Sequence, residues 1–230
     1  MFQMTTPADL SSLSVEEIFQ YLESNNAEVV AEVLDLFHQN LSQTKDGWLV
    51  SGLYDYYVNT GSKNGLKLLT NIREPHDKLL CERLAEGLRS SDKPTVLSAV
   101  ELLGFIVRKQ PLWLHKVAQY PVFRELIKLL KSDSDVTIIV PSLLLLVSLL
   151  PALAAKVSSF LQDLFELFNR VCQYKHREER NLPSLSTSHL TVAVYSYFHR
   201  LYGMFPCNFL YYMRQQDYES NTHNSVFNGD

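Results

Sequence analysis

Hydrophobic residues return every three to four positions along almost the whole chain, and that period predicts one helix after another. Ser14-x-x-Glu17 has the form of a capping box ahead of Val15, Ile18, Phe19 and Leu22, and Asn25-Asn26 stops the run. Ala27 to Asn40 sets Val29, Val30, Val33, Leu34, Leu36 and Phe37 against Glu28, Glu32 and Asp35, an amphipathic helix. After the turn Lys45-Asp46-Gly47, helix is predicted over 48–60. Gly61-Ser62-Lys63-Asn64-Gly65 breaks it, and a short helix follows at 66–72. Glu74-Pro75 opens the next, with proline at its first position and Leu79, Leu80, Leu84 and Leu88 behind it. Pro94 to Lys109, closed by Pro111, and helices over 112–119, 121–131, 135–150, 152–173, 186–202 and 205–216 complete the pattern. Gly203 is expected at a helix end, in a conformation that suits glycine.

The pattern repeats. Leu88-Arg89-Ser90-Ser91-Asp92, an apolar helix and Pro111 are echoed by Leu130-Lys131-Ser132-Asp133-Ser134, another apolar helix and Pro151. The spacing of about 40 residues is that of two-helix HEAT or armadillo units, which bury their apolar faces only by stacking. The expected fold class is therefore all-α, a right-handed α-solenoid of HEAT-like helical pairs, with an irregular helical bundle as the alternative. Residues 1–216 are expected to form the domain, with the Lys175–Pro183 connector exposed and 217–230 a flexible tail. Residues 136–155 carry no charge and are long enough to cross a bilayer. Pro141, Pro151, Ser142, Ser148 and the heading Asp133 and Asp135 favour a core helix covered on every side, with Leu145 and Leu146 at its centre.

Composition supports a folded helical chain. Of 230 residues 46% are hydrophobic, and only 8 are Gly and 9 Pro, too few for a disordered segment or for an all-β fold rich in tight turns. Lys+Arg 21 against Asp+Glu 25 gives a net charge of -4, which disfavours nucleic acid as the main partner. Cys81, Cys172 and Cys207 are widely spaced and odd in number, as expected of free thiols, buried ones, in a reducing compartment. Met1–Leu13 lacks the basic-then-apolar pattern of a secretory leader, and none is expected there.

No constellation for chemistry emerges. His76 and Asp77 are neighbours on a helix start and do not face each other; His115 and His199 come without a nucleophile elbow or metal-helix pairing. Cys207 reads as a small buried residue. No enzyme activity, cofactor or metal is expected, and a hydrolase built on His76, Asp77 or His199 is the weaker alternative. Aromatic residues crowd into 195–212, more than one face of two helices requires, so His199, Arg200, Tyr202, Phe205, Phe209, Tyr211 and Tyr212 form the candidate interaction surface, with plain core packing as the competing reading. Lys63, Lys67, Arg73, Lys78, Arg83, Arg108 and Lys109 would suit acidic lipid headgroups if they converge; solvated helix faces explain them otherwise.

Two stretches, Glu74-Pro75-His76-Asp77-Lys78 and, at greater length, Phe198-His199-Arg200-Leu201-Tyr202-Gly203-Met204-Phe205-Pro206-Cys207-Asn208-Phe209, closely resemble the N-terminal domain of the hamartin family. Weaker likeness covers most of the chain, while the N-terminal helices and the 175–184 connector depart from the animal pattern, as in a distant member. The resemblance implies a HEAT-like helical domain without catalysis, from a scaffold that stabilises tuberin. In that family tuberin stimulates GTP hydrolysis by Rheb and so restrains TOR complex 1 in response to nutrients. Tuberin would bind through a C-terminal coiled coil that is absent here, the chain then being a fragment. Self-association, acidic headgroups and a cytoplasmic site at the lysosomal or vacuolar membrane are the other expectations the resemblance brings.

Overall fold

The helices begin where polar side chains satisfy their orphan N–H groups. The Asp92 carboxylate accepts from the Thr95 N–H at 3.0 Å and hydroxyl at 2.6 Å, while Ser90 Oγ accepts from the Asp92 N–H. Asp135 does the same for the Thr137 N–H and hydroxyl, at 2.8 and 2.6 Å, and Asp133 accepts from the Asp135 N–H. The sequence echo is thus a repeated junction. In the computed structural model, which describes residues 15–43, 47–178 and 181–227, the fold is all-α and no strand occurs among the described residues. Ser14, Lys45 and Asp46 of the predicted cap and turn lie outside them.

The chain divides into two compact units, Met1–Phe123 and Arg124–Asp230. The first holds α1 (Val15–Tyr21), α2 (Ala27–Gln43), α3 (Trp48–Thr60), α4 (Lys63–Leu69), α5 (Asp77–Leu88) and α6 (Lys93–Lys109). Its core joins Leu22, Val33, Leu53, Leu69, Leu80, Leu84, Leu103 and Ile106, with Phe19 stacked at 5.5 Å on Phe37 and 5.1 Å on Tyr56. Two boundaries differ from the periodicity. Helix α4 starts earlier, because Ser62 caps it by accepting from the Gly65 N–H at 2.9 Å. Helix α5 starts later: Pro75 follows a cis peptide in a turn, and Asp77 is the first helical residue. Residues 112–119 are 3-10 rather than α, entered through Gln110 in the left-handed region and Pro111.

The second unit is built on α8 (Val136–Leu149), α9 (Leu161–Glu178), α10 (Ser184–Met204) and α11 (Pro206–Phe227); α7 (Pro121–Ser132) spans the division. Helix α8 packs on α10, and α10 also on α9 and α11. The Arg170 guanidinium donates to the Leu130 and Asp133 carbonyls, and the Tyr174 hydroxyl to the Ser134 carbonyl at 2.7 Å, tying α9 to the end of α7. The predicted 152–173 helix begins only at Leu161. Before it two 3-10 turns, Leu150–Leu153 and Val157–Phe160, bring Leu153, Val157 and Phe160 inward. The boundary expected at 216 falls inside α11, and the side chains from 217 onward lie outside the described residues.

Val136–Leu153 is apolar and long enough to cross a membrane by composition, yet it is α8 followed by a 3-10 turn, with Ile139, Leu143, Leu146 and Leu149 buried in the unit. It is not covered on every side, as the absence of charge led us to expect. Thr137, Leu144 and Ser148 form an exposed strip, with Leu144 38% exposed. Pro141 does not end the helix, since the carbonyl deprived of an N–H partner belongs to exposed Thr137. Gly203 is at a helix end as expected, but not in a conformation that requires glycine. It lies in the last turn of α10 without a positive φ, and the helix ends at Phe205, with φ -137° and ψ 53°.

Candidate interaction surface

Helix α10 carries large apolar residues on two faces. Leu190, Ala193, Val194, Tyr197 and Leu201 point into the unit, and the Tyr197 hydroxyl donates to the Leu164 carbonyl at 2.9 Å. On the opposite side Leu185, Val192, Tyr195 and Tyr202 are 66%, 60%, 63% and 45% exposed. His199 is exposed among them, its ring edge-on to Tyr195 at 4.3 Å. Phe198 stacks on Tyr202 at 6.0 Å from the flank.

The seven residues singled out from aromatic density separate into two groups. His199 and Tyr202 lie on the outer face of α10, and Tyr211 is exposed on α11 beside Leu210. Arg200 and Phe205 are half-buried, and the Arg200 Nε is buried without a hydrogen-bond partner. Phe209 and Tyr212 belong to the core. Both tilt against Phe165 at 5.3 Å, Phe209 meets Phe168 edge-on at 5.2 Å, and the Tyr212 hydroxyl accepts from Asn169 at 3.0 Å. Leu185 and Val192 were missed because aromatic density says nothing of aliphatic residues; their spacing from His199 by sevens was the available signal.

In the stretch at 74–78, His76 and Asp77 are buried and Glu74, Pro75 and Lys78 are exposed. Asp77 is buried and accepts from the Tyr120 hydroxyl at 2.7 Å, and His76 is buried with its Nε2 on the Leu41 carbonyl at 3.0 Å. Glu74 pairs with Lys116 at 2.7 Å, and Trp113 donates to the Ile72 carbonyl at 2.8 Å. Burial, then the bond to Asp77, pushes the Tyr120 phenol well above its ordinary range. His76 and Asp77 therefore face different partners and do not converge on a common point. A cleft of about 560 Å³ beside them is lined by His38, Asn71, Arg73 and Glu74.

Arg83 is clamped by Asp55 and Glu86 over the Tyr54 ring, Lys78 lies 3.8 Å from Glu82, and Arg108 covers Phe105. Lys63, Lys67, Arg73 and Lys109 are exposed. Of the thiols, Cys81 is buried and Cys172 half-buried, and burial raises both above the ordinary range. Cys207 is exposed, contrary to the reading as a buried residue, because it falls on the first turn of α11, away from the Phe209 side.

Comparison with known proteins fits this architecture. The family described as "Hamartin, N-terminal domain" matches residues 15–229. Hamartin of Homo sapiens is 37% identical over 201 residues, 87% of this chain and 17% of its own length. Hamartin of Rattus norvegicus is 36% identical over the same shares, so the chain spans about a sixth of the length of these relatives. Among solved structures, "TSC1 N-terminal domain" superposes with a TM-score of 0.71 at 19% identity, covering 88% of this chain and 56% of that one. "Structure of TSC1 NTD and linker domain" gives 0.72 at 19%, covering 91% and 56%. At that identity the two structures speak for the fold, a helical solenoid-like one, and the family follows from the sequence matches: this chain belongs to the hamartin N-terminal domain family.

Proposed function

We propose that this chain is a non-catalytic association module of a hamartin-type scaffold. The family match across residues 15–229 carries that reading, and the outward apolar face of α10 gives it a physical basis, since exposed aromatic and aliphatic side chains in a row mark interfaces. In this reading the whole protein holds tuberin through a region outside this chain, and the complex stimulates GTP hydrolysis by Rheb and restrains TOR complex 1. The module contributes self-association and helps seat the complex at the lysosomal or vacuolar membrane, with the exposed Lys63, Lys67, Arg73 and Lys109 available to acidic headgroups.

The test is deletion of residues 15–216 from the whole protein in cells, reading phosphorylation of TOR complex 1 substrates after amino-acid withdrawal. Phosphorylation should persist, while tuberin still co-precipitates with the remainder. A normal fall in phosphorylation would overturn the reading. Vesicle flotation with phosphoinositides at low salt addresses the membrane part separately, and no binding there would remove it.

A further inference from the structure

The first unit carries a line of exposed cations. Lys63 and Lys67 stand four residues apart on α4, on one face of the helix, and Asn71 continues that face by a further turn. The Asn71 amide donates to the Lys67 carbonyl at 2.9 Å, so its oxygen remains to accept from a ligand. Asn71 also lines the cleft of about 560 Å³, together with exposed Arg73 and His38 and the buried Ile72. The line therefore runs from Lys63 into the cleft.

The acids around it are occupied or turned aside. Helix α4 packs on α2 and α3. On α3, Asp55 is held by Arg83. On α2, Glu28, Glu32 and Asp35 stand about 120° or more around the helix from Leu41, which lines the cleft. Of the two acids next to the line, Glu23 accepts from the Ser62 hydroxyl and Glu74 pairs with Lys116 at 2.7 Å. Lys63, Lys67 and Arg73 make no ion pair with a described carboxylate.

Shape chooses among the anions that such a line attracts. Lys63 and Lys67 are about 6 Å apart along the helix axis, and an extended chain returns a side chain to the same face about every 6–7 Å. Carboxylates at alternate positions of an extended peptide keep step with the line, and the next side chain meets the cleft beyond Asn71. A bilayer matches less closely. Between Trp48 and Leu112 no described large hydrophobic side chain is exposed, so nothing beside the line enters the acyl region.

We propose that α4 and the cleft beyond it dock an extended acidic segment of another polypeptide, its alternate carboxylates on Lys63, Lys67 and Arg73. This rests on the association-module reading and names the kind of partner. Charge complementarity supplies the selectivity, and the cleft fixes where the segment ends.

The probe is a synthetic peptide with glutamate at alternate positions and a leucine at one end, labelled for fluorescence anisotropy and titrated with the whole chain. A counter-probe carries lysine in place of glutamate. Saturable binding of the glutamate peptide alone is expected, weaker at about 0.5 M salt. The double variant Lys67→Glu/Arg73→Glu should weaken it at least about tenfold with an unchanged thermal melt, and Lys63→Gln by about two- to threefold. Lys109→Glu, an exposed cation of the same unit outside the line, should leave it intact. No saturable binding, equal binding of the two peptides, or equal loss in Lys109→Glu and the double variant would overturn the proposal. Flotation with phosphatidylserine vesicles that depends on Lys67 and Arg73, without peptide binding, would assign the line to a membrane and overturn it too. Each of these leaves the cellular deletion result untouched, so the two readings fail separately.

Discussion

Gly87 offers a test in which two known effects of opposite sign meet at one methyl group. It lies in the last turn of α5, and a Cβ there would stand 2.1 Å from the Tyr54 hydroxyl oxygen of α3 and 2.9 Å from the Ala99 Cβ of α6. Replacing glycine by alanine in a helix is otherwise favourable by up to about 1 kcal/mol. Overpacking costs about 1–3 kcal/mol, and here one of the two clashes is with an atom fixed to the backbone. Gly87→Ala should therefore lower stability by about 1–2 kcal/mol, a fall in Tm of about 2–8 °C for a chain of this size. Tyr54→Phe behaves differently. Its hydroxyl is buried without a hydrogen-bond partner, and burial, opposed by Arg83, pushes it up to about 12. Removing an unpaired buried hydroxyl is neutral or stabilising by about 1 kcal/mol. It also moves the nearest Tyr54 atom out to 3.5 Å from the new methyl, an ordinary contact. The double variant should recover about 1 kcal/mol of what Gly87→Ala loses, a coupling measurable by urea or thermal denaturation followed by circular dichroism. An unchanged or stabilised Gly87→Ala, or strict additivity in the double variant, would show that α3, α5 and α6 do not approach as described.

Leu146→Asp, at a fully buried position on α8, should cost several kcal/mol and abolish cooperative melting, and a variant melting like the parent would misplace the core. Asp77→Ala should lose about 1–3 kcal/mol by stranding the Tyr120 hydroxyl, with Asp77→Asn recovering part of it because an amide oxygen can still accept; equal loss in both would refute that bond. Asp135→Ala should cost about 1 kcal/mol through loss of the α8 cap, and no change in chemical denaturation would contradict the geometry. Hydrogen bonds from Lys131 and Gln162 hold the Glu166 carboxyl below its ordinary 4.5. Its contribution is therefore full above that value and lost as pH falls through the lower folded one, so Glu166→Gln should flatten the acid limb of a Tm–pH curve, and an unaltered limb would refute this.

What could be read from the sequence was what short-range physics decides. The 3.6 period placed nearly every helix, Asp135 heads α8 as a cap, and the echoed cluster before α6 caps in a similar way through Asp92. The failures share a cause. Whether Pro75 sits inside a helix or before it depends on the anchoring of His76 on Leu41 and of Asp77 on Tyr120, partners 35 and 43 residues away. The 3-10 turns before α9 depend on what Leu153 and Phe160 must reach, which periodicity over so short a stretch does not reveal. The aromatic surplus of 195–212 was visible, but whether a ring faces inward depends on the neighbour: Phe209 meets Phe165 and Phe168, whereas Tyr211 meets solvent.

Helices α8 and α10 of the second unit carry their outward apolar residues for different reasons. In α8 the outward strip is narrow and broken by Thr137 and Ser148, whose hydroxyls are occupied locally, on Asp135 and on the Leu144 carbonyl at 2.9 Å. Such a strip offers little to a partner, and Leu144 alone is the scattered exposed leucine that every surface contains. In α10 the strip is wide, regular and rich in large side chains, and Ser188 is the one small polar residue inside it. An exposed row of that kind costs solubility without adding to the stability of the unit, since Leu190, Val194, Tyr197 and Leu201 already fill the inner face. Core packing therefore accounts for α8 and for half of α10. The outer half of α10 is exposed and is not accounted for by packing within the unit, and that difference makes α10, rather than the uncharged run before it, the place to look for a partner.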